Sequence, residues 1–158
     1  MSMSTVNSLL KTAQAVMLNY LRSFSFFFFC FFCPLSSAET LYVNDLPLEV
    51  EIALTQAQQQ KGLQGREHLN ENTGMLFVFN PSKTVCMWMK NVPIDLDVGF
   101  FDEKGKLVSI RHMKAQTQNT HCSLRPIRWA LEVNSGWFNK NRISAGAQLS
   151  VNPKTKSP

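Results

Sequence analysis

Asp95 and Asp97 come closer than any other pair in this sequence to a general acid and its base. On an extended strand, carboxylates two residues apart share a face, with Cα atoms ~6.6 Å from one another. That separation suits proton transfer, but glycosidase carboxylates must flank the scissile bond from opposite sides, which strand neighbours do poorly. A solvated strand face, or an ion pair to Lys90, is the commoner fate of such a pair.

A second group brings an aromatic ring, a cation and an amide together in Trp88, Lys90 and Asn91. With Arg66, Asp95 and Glu132 these residues are the candidates for a polar pocket on an apolar floor, because Trp rings stack on sugars and cations. The competing expectation is a buried Trp88 with its N–H satisfied, since its neighbours are strongly apolar.

Met87, Met89, Met113, His112 and His121 are soft and borderline ligands of the kind that hold copper. Their spacing matches no metal signature, and methionines on one strand face usually fill a core. No metal and no cofactor is expected. His68, His112 and His121 have no identifiable nucleophile partner, and no Gly-x-Ser-x-Gly turn is present.

The chain start sets the compartment in which these residues would work. Lys11 and Arg22 precede the apolar run Phe24-Ser-Phe-Phe-Phe-Phe-Cys-Phe-Phe-Cys33, and Ser36 and Ala38 supply small residues for a cut. That order is the pattern of a secretory signal over residues 1–38, and its apolar run is short of the ~20 residues of a membrane span. Translation could begin at Met1, Met3 or Met17. A periplasmic or secreted product is predicted, with membrane contact only through the signal. Neither Cys30 nor Cys33 follows the small residues that lipid attachment requires.

Without the signal, 14 basic and 11 acidic residues remain, a net +3. A scattered surplus of this size gives no nucleic-acid footprint, which needs clustered positive charge. Cys86 and Cys122 are then the remaining cysteines, and export favours a disulfide between them. A redox or metal-binding pair is the alternative, although Cys-x-x-Cys spacing is absent.

The elements that must position these residues are short strands. Leu48, Val50, Ile52 and Leu54 alternate with Glu49, Glu51 and Ala53, and Asn44-Asp45 before them is a hairpin turn. Thr55-Gln-Ala-Gln58 has the capping-box form, and Gly62 can close the short helix that follows. Residues 74–79 and 85–89 read as core strands, with Pro81 ending the first. Residues 96–100 and 107–113 form a hairpin about the 102–105 turn, and residues 114–128 a polar loop. Trp129, Leu131 and Val133 mark another strand, residues 136–141 a helical turn, and residues 147–151 a last strand. The expected fold is mainly β: a compact antiparallel sandwich or partly closed barrel, with one or two short helices. A single domain over 39–153 and a disordered tail over 154–158 complete the organisation.

An ordered set of motifs resembles the domain-of-unknown-function 192 family: Lys61-Gly-Leu63, Arg66, Leu69, Gly74-Met-Leu-Phe-Val-Phe79, Trp88-Met-Lys-Asn91, Pro93-Ile-Asp-Leu96, Gly105, Ala130-Leu-Glu132 and Gly136-Trp-Phe138. The resemblance spans residues 59–149. Cys86-Met-Trp and His121-Cys-Ser123 are similar to exported bacterial members that carry a paired cysteine. Gln64 and Val92 depart from the pattern, where Met and Thr are usual. The resemblance implies a compact, mainly β, usually exported domain without an assigned activity.

The expectation for function is an envelope module that binds a small polar ligand, a glycan or a partner protein through Arg66, Trp88, Lys90, Asn91, Asp95 and Glu132. The alternatives are a hydrolase or lyase acting on a cell-envelope polymer through Asp95 and Asp97, and a copper handler built on Met and His.

Overall fold

The computed structural model describes residues 38–151. The predicted signal before Ala38, with Cys30 and Cys33, and the predicted tail at 154–158 lie outside the described residues. Among these residues the chain forms nine strands and two short helices.

Strands β1 (Ala38–Val43) and β2 (Leu46–Ala53) make a hairpin in which Val43 pairs with Leu46. Both turn residues, Asn44 (φ 50°) and Asp45 (φ 68°), are left-handed, as a two-residue turn joining right-twisted strands requires. Helix α1 (Gln56–Lys61) follows behind a complete capping box: the Gln58 amide donates to Thr55 Oγ1 at 3.2 Å, and the Thr55 amide to Gln58 Oε1 at 2.9 Å. The Gly62 amide donates back to Gln58 O, at a φ of 45° that favours glycine.

Strand β3 (Thr73–Lys83) runs through Pro81 instead of ending there. Its register with strand β8 (Ile127–Asn134) shifts between Val78 and Lys83, so Pro81 lies where ladder pairing is already interrupted. Strands β5 (Leu96–Phe101) and β6 (Leu107–Met113) form the expected hairpin, and the Asp102 carboxylate accepts from the Lys104 and Lys106 amides in its turn. Strand β8 (Ile127–Asn134) lies between β5 and β3, α2 (Trp137–Lys140) is one helical turn, and β9 (Leu149–Ser150) comes last.

The sheet order is β6-β5-β8-β3-β2-β1-β9. All neighbours are antiparallel except β2 and β3, whose connection through α1 makes them parallel. Strand β9 pairs with β1, and the segment around it also reaches β6, with Leu107 N donating to Ala147 O and Leu149 N to Gly105 O, each at 2.8 Å. The sheet therefore curls into a partly closed barrel. Of the two architectures expected, the barrel is the one present.

Each face of the sheet carries an apolar cluster. One holds Leu41, Val50, Leu131, Val133, Trp137 and Phe138. The other holds Met75, Phe77, Val98 and Phe100, under a cover that includes Leu63, Leu69, Met87, Met89 and Val92. Strands β4 (Cys86–Met87) and β7 (His121–Cys122) stand apart as a two-stranded ribbon in that cover. Residues 85–89, read from sequence as a core strand, thus contribute buried side chains to the core without joining the main sheet.

Candidate functional site

The ribbon brings together two segments far apart in sequence. Cys86 pairs with Cys122 across it and the two form a disulfide between residues 36 positions apart in sequence. Chain-entropy arguments value such a closure at about 4 kcal/mol, before any native-state cost. Beyond the ribbon, Met89 N donates to Thr117 O, Gln116 N to Val92 O at 2.9 Å, and Gly65 N to Asn91 O at 2.8 Å. These bonds frame a cleft of about 310 Å³ lined by Gly65, Glu67, Lys90, Asn91, Pro93, Gln116 and Gln118.

Five of the seven lining residues carry polar side chains: one carboxylate, one ammonium and three side-chain amides. Asn91 (φ 59°) and Gln116 (φ 57°) are both left-handed at its rim. Trp88 is 48% exposed, not buried as its apolar neighbours suggested, because Met87 and Met89 on either side turn inward. The Lys90 ammonium lies 5.6 Å from the Trp88 ring centroid, within cation–π reach. Of the six residues singled out from sequence, Trp88, Lys90 and Asn91 therefore come together.

Of these six, Lys90 and Asn91 belong to the lining, Trp88 stands beside it against Lys90, and the other three lie elsewhere. Arg66 belongs to a second cleft, of about 270 Å³, where its Nη2 donates to Glu51 Oε1 at 2.7 Å. Asp95 accepts from the Ala115 amide at 2.7 Å and so anchors the start of the loop that carries Gln116. Glu132 is 4% exposed on the sheet face beneath the cover, directly opposite Met75 and Val98. No hydrogen-bond partner for its carboxyl is found among the described residues, and desolvation pushes its pKa up to about 8. Glu132 is accordingly protonated at neutral pH.

Asp95 and Asp97 occupy different surroundings. Asp97 is 7% exposed; its Oδ2 accepts from the Gly136 amide at 2.8 Å and its Oδ1 lies 3.1 Å from His112 Nδ1. The Ser135 hydroxyl also meets His112 Nδ1, at 3.2 Å. A serine–histidine–aspartate relay uses the two opposite ring nitrogens, so this cluster lacks the geometry of one. It ties β5 and β6 to the turn before α2. Met87, Met89 and Met113 are buried in the apolar cluster, where they fill space.

Sequence reasoning missed Glu67, Gln116 and Gln118, the remaining polar residues of the first cleft. Each stands in a loop, where a polar side chain is the ordinary choice, so nothing local marks them.

The family model of domain of unknown function 192, described as uncharacterized ACR, matches residues 39–151. The chain belongs to this family. Two solved structures share the fold. One, from Sinorhizobium meliloti, is described as a candidate transcription regulator; it is 28% identical, has a TM-score of 0.70, and the match covers 73% of this chain and 94% of that one. The other, a protein of unknown function from Novosphingobium aromaticivorans, is 27% identical at a TM-score of 0.70, over 74% of this chain and 89% of its own. No functionally curated protein matches the chain.

Proposed function

We propose that this domain is an exported envelope module that binds a small polar ligand of the carbohydrate class in the cleft formed by Glu67, Lys90, Asn91, Gln116 and Gln118. The observation that carries this reading is the lining itself: three side-chain amides and an ion of each sign, beside a half-exposed Trp88. Hydroxyl-rich ligands are recognised by such mixed donors and acceptors, with an aromatic ring against the sugar face.

The disulfide, and the lack of any helix among the described residues long and apolar enough to cross a membrane, are compatible with the periplasmic or secreted location that the signal predicts. The regulatory description of the Sinorhizobium relative finds no support in charge. Outside the predicted signal the chain carries 14 basic against 11 acidic residues, and so small a surplus makes no phosphate track without clustering.

Calorimetric titration of the oxidised mature protein with soluble cell-wall oligosaccharides tests the proposal. Lys90→Ala and Gln118→Ala are expected to weaken binding by about tenfold each, the scale of one lost charged or amide hydrogen bond. Both side chains are exposed, so folding should be retained. Wild-type affinity in both variants would remove the cleft from the site.

A further inference from the structure

The second cleft is built differently from the first. Its walls are residues 49–51 of β2 on one side and the covering segment with Arg66, His68 and Asn70 on the other; Ala38 of β1 and Thr73 and Gly74 of β3 also line it. Glu49 and Glu51 are two apart on the strand, so both carboxylates rise on one face with Cα atoms ~6.6 Å from each other. A compact ammonium fits between carboxylates so spaced.

Arg66 faces them. Its contact with Glu51 employs one N–H, whereas a guanidinium offers five in a fork that matches a carboxylate. Both partners are partly exposed, 41% and 27% by side chain, so the pair exchanges readily with solvent ions. Beside it the His68 ring is oriented through Nε2 by Asn70 Oδ1, at 2.6 Å. The cleft thus presents acceptors on one wall and a forked cation on the other, in a volume of about 270 Å³ suited to a small molecule.

We propose that this cleft binds an α-amino acid head group, its ammonium on Glu49 and Glu51 and its carboxylate on Arg66. The ligand's ammonium meets the carboxylate wall while its carboxylate takes N–H groups of Arg66 that the Glu51 contact leaves unused. A ligand bearing one charge alone cannot do so, because it must leave an acidic or a basic wall unmatched. The head group could come from a free amino acid or from the zwitterionic end of a cell-wall stem peptide. This inference does not rest on the carbohydrate reading, since different side chains form the two clefts.

The test is calorimetry on the oxidised mature protein with alanine, ethylamine, propionate, free diaminopimelate and a diaminopimelate-ended tripeptide. Alanine should bind at least about tenfold more tightly than ethylamine or propionate. Arg66→Gln should abolish that preference, and the exposed Glu49→Gln, which disturbs no core contact, should weaken alanine several-fold. A tripeptide bound more tightly than free diaminopimelate assigns the site to cell-wall peptide; equal affinities assign it to free amino acids. The proposal is overturned if alanine gives no binding at 20-fold molar excess over millimolar protein. It is equally overturned if ethylamine matches alanine and neither variant changes either affinity.

Discussion

The seven-stranded sheet and the cover over one of its faces are built on opposite terms. In the sheet, apolar side chains alternate through long registers and the backbone bonds belong to the ladders. In the cover, a two-residue ribbon, one disulfide and a few isolated backbone bonds hold loops whose polar side chains line the clefts. The sheet supplies rigidity and the cover presents the polar side chains, the usual division between a packed scaffold and the loops it positions. Glu132 sits at the boundary, on a sheet strand but facing the cover.

That boundary gives the largest expected effect. The Glu132 carboxyl holds its proton in the folded state up to about pH 8, whereas the unfolded chain ionises near 4.5. Between these values the unfolded state binds fewer protons, so stability falls as pH rises and levels off above 8. The contribution at stake is on the order of 5 kcal/mol. Urea titrations from pH 4 to 9 should show this fall in the wild type and a flatter profile in Glu132→Gln, which keeps the shape without the charge. Parallel profiles would mean that Glu132 is solvated or partnered.

Next comes the ribbon. The double variant Cys86→Ser/Cys122→Ser is expected to lose about 2–4 kcal/mol by thermal or urea unfolding, since the unfolded chain regains its loop entropy. Amide exchange should quicken at Met89 and Gln116, which hold the cleft, more than at Leu131 and Val133 in the sheet. Equal quickening in both regions would erase the distinction between cover and scaffold.

A smaller effect probes the sheet alone. At Gly99 an added methyl would lie 2.6 Å from the Phe138 ring, so Gly99→Ala should cost about 1–3 kcal/mol through overpacking. Ligand affinity measured well below the unfolding transition should stay unchanged, because α2 packs on the opposite face from the clefts.

The same division explains what was legible in sequence. The Asn44-Asp45 turn, the Thr55 capping box, the β5–β6 hairpin and the helical turn at 137–140 depend on neighbours within a few residues, and each is where the pattern placed it. The parallel pairing of β2 with β3 was hidden, because alternation reads the same whichever way a neighbouring strand runs. The continuation of β3 through Pro81 depends on a register shift against β8, a long-range feature. Lys90 and Asn91 of the first cleft, and Trp88 beside it, were legible by type, and the paired cysteines by the predicted compartment. Glu67, Gln116 and Gln118 acquire meaning only when the ribbon folds their loops against residues 88–93. Glu132 was legible as a residue of interest, but its burial depends on Met75 and Val98 across two strand pairings.

The central claim, that the cover carries a carbohydrate site, is tested most directly by following backbone amide resonances of the oxidised protein during titration with soluble cell-wall oligosaccharides. Saturable shifts at Gly65, Lys90, Asn91, Gln116 and Gln118, with the indole N–H of Trp88 moving in step and the β1–β2 hairpin silent, are the predicted result. Unmoved resonances at these residues while the same oligosaccharides bind elsewhere would contradict it.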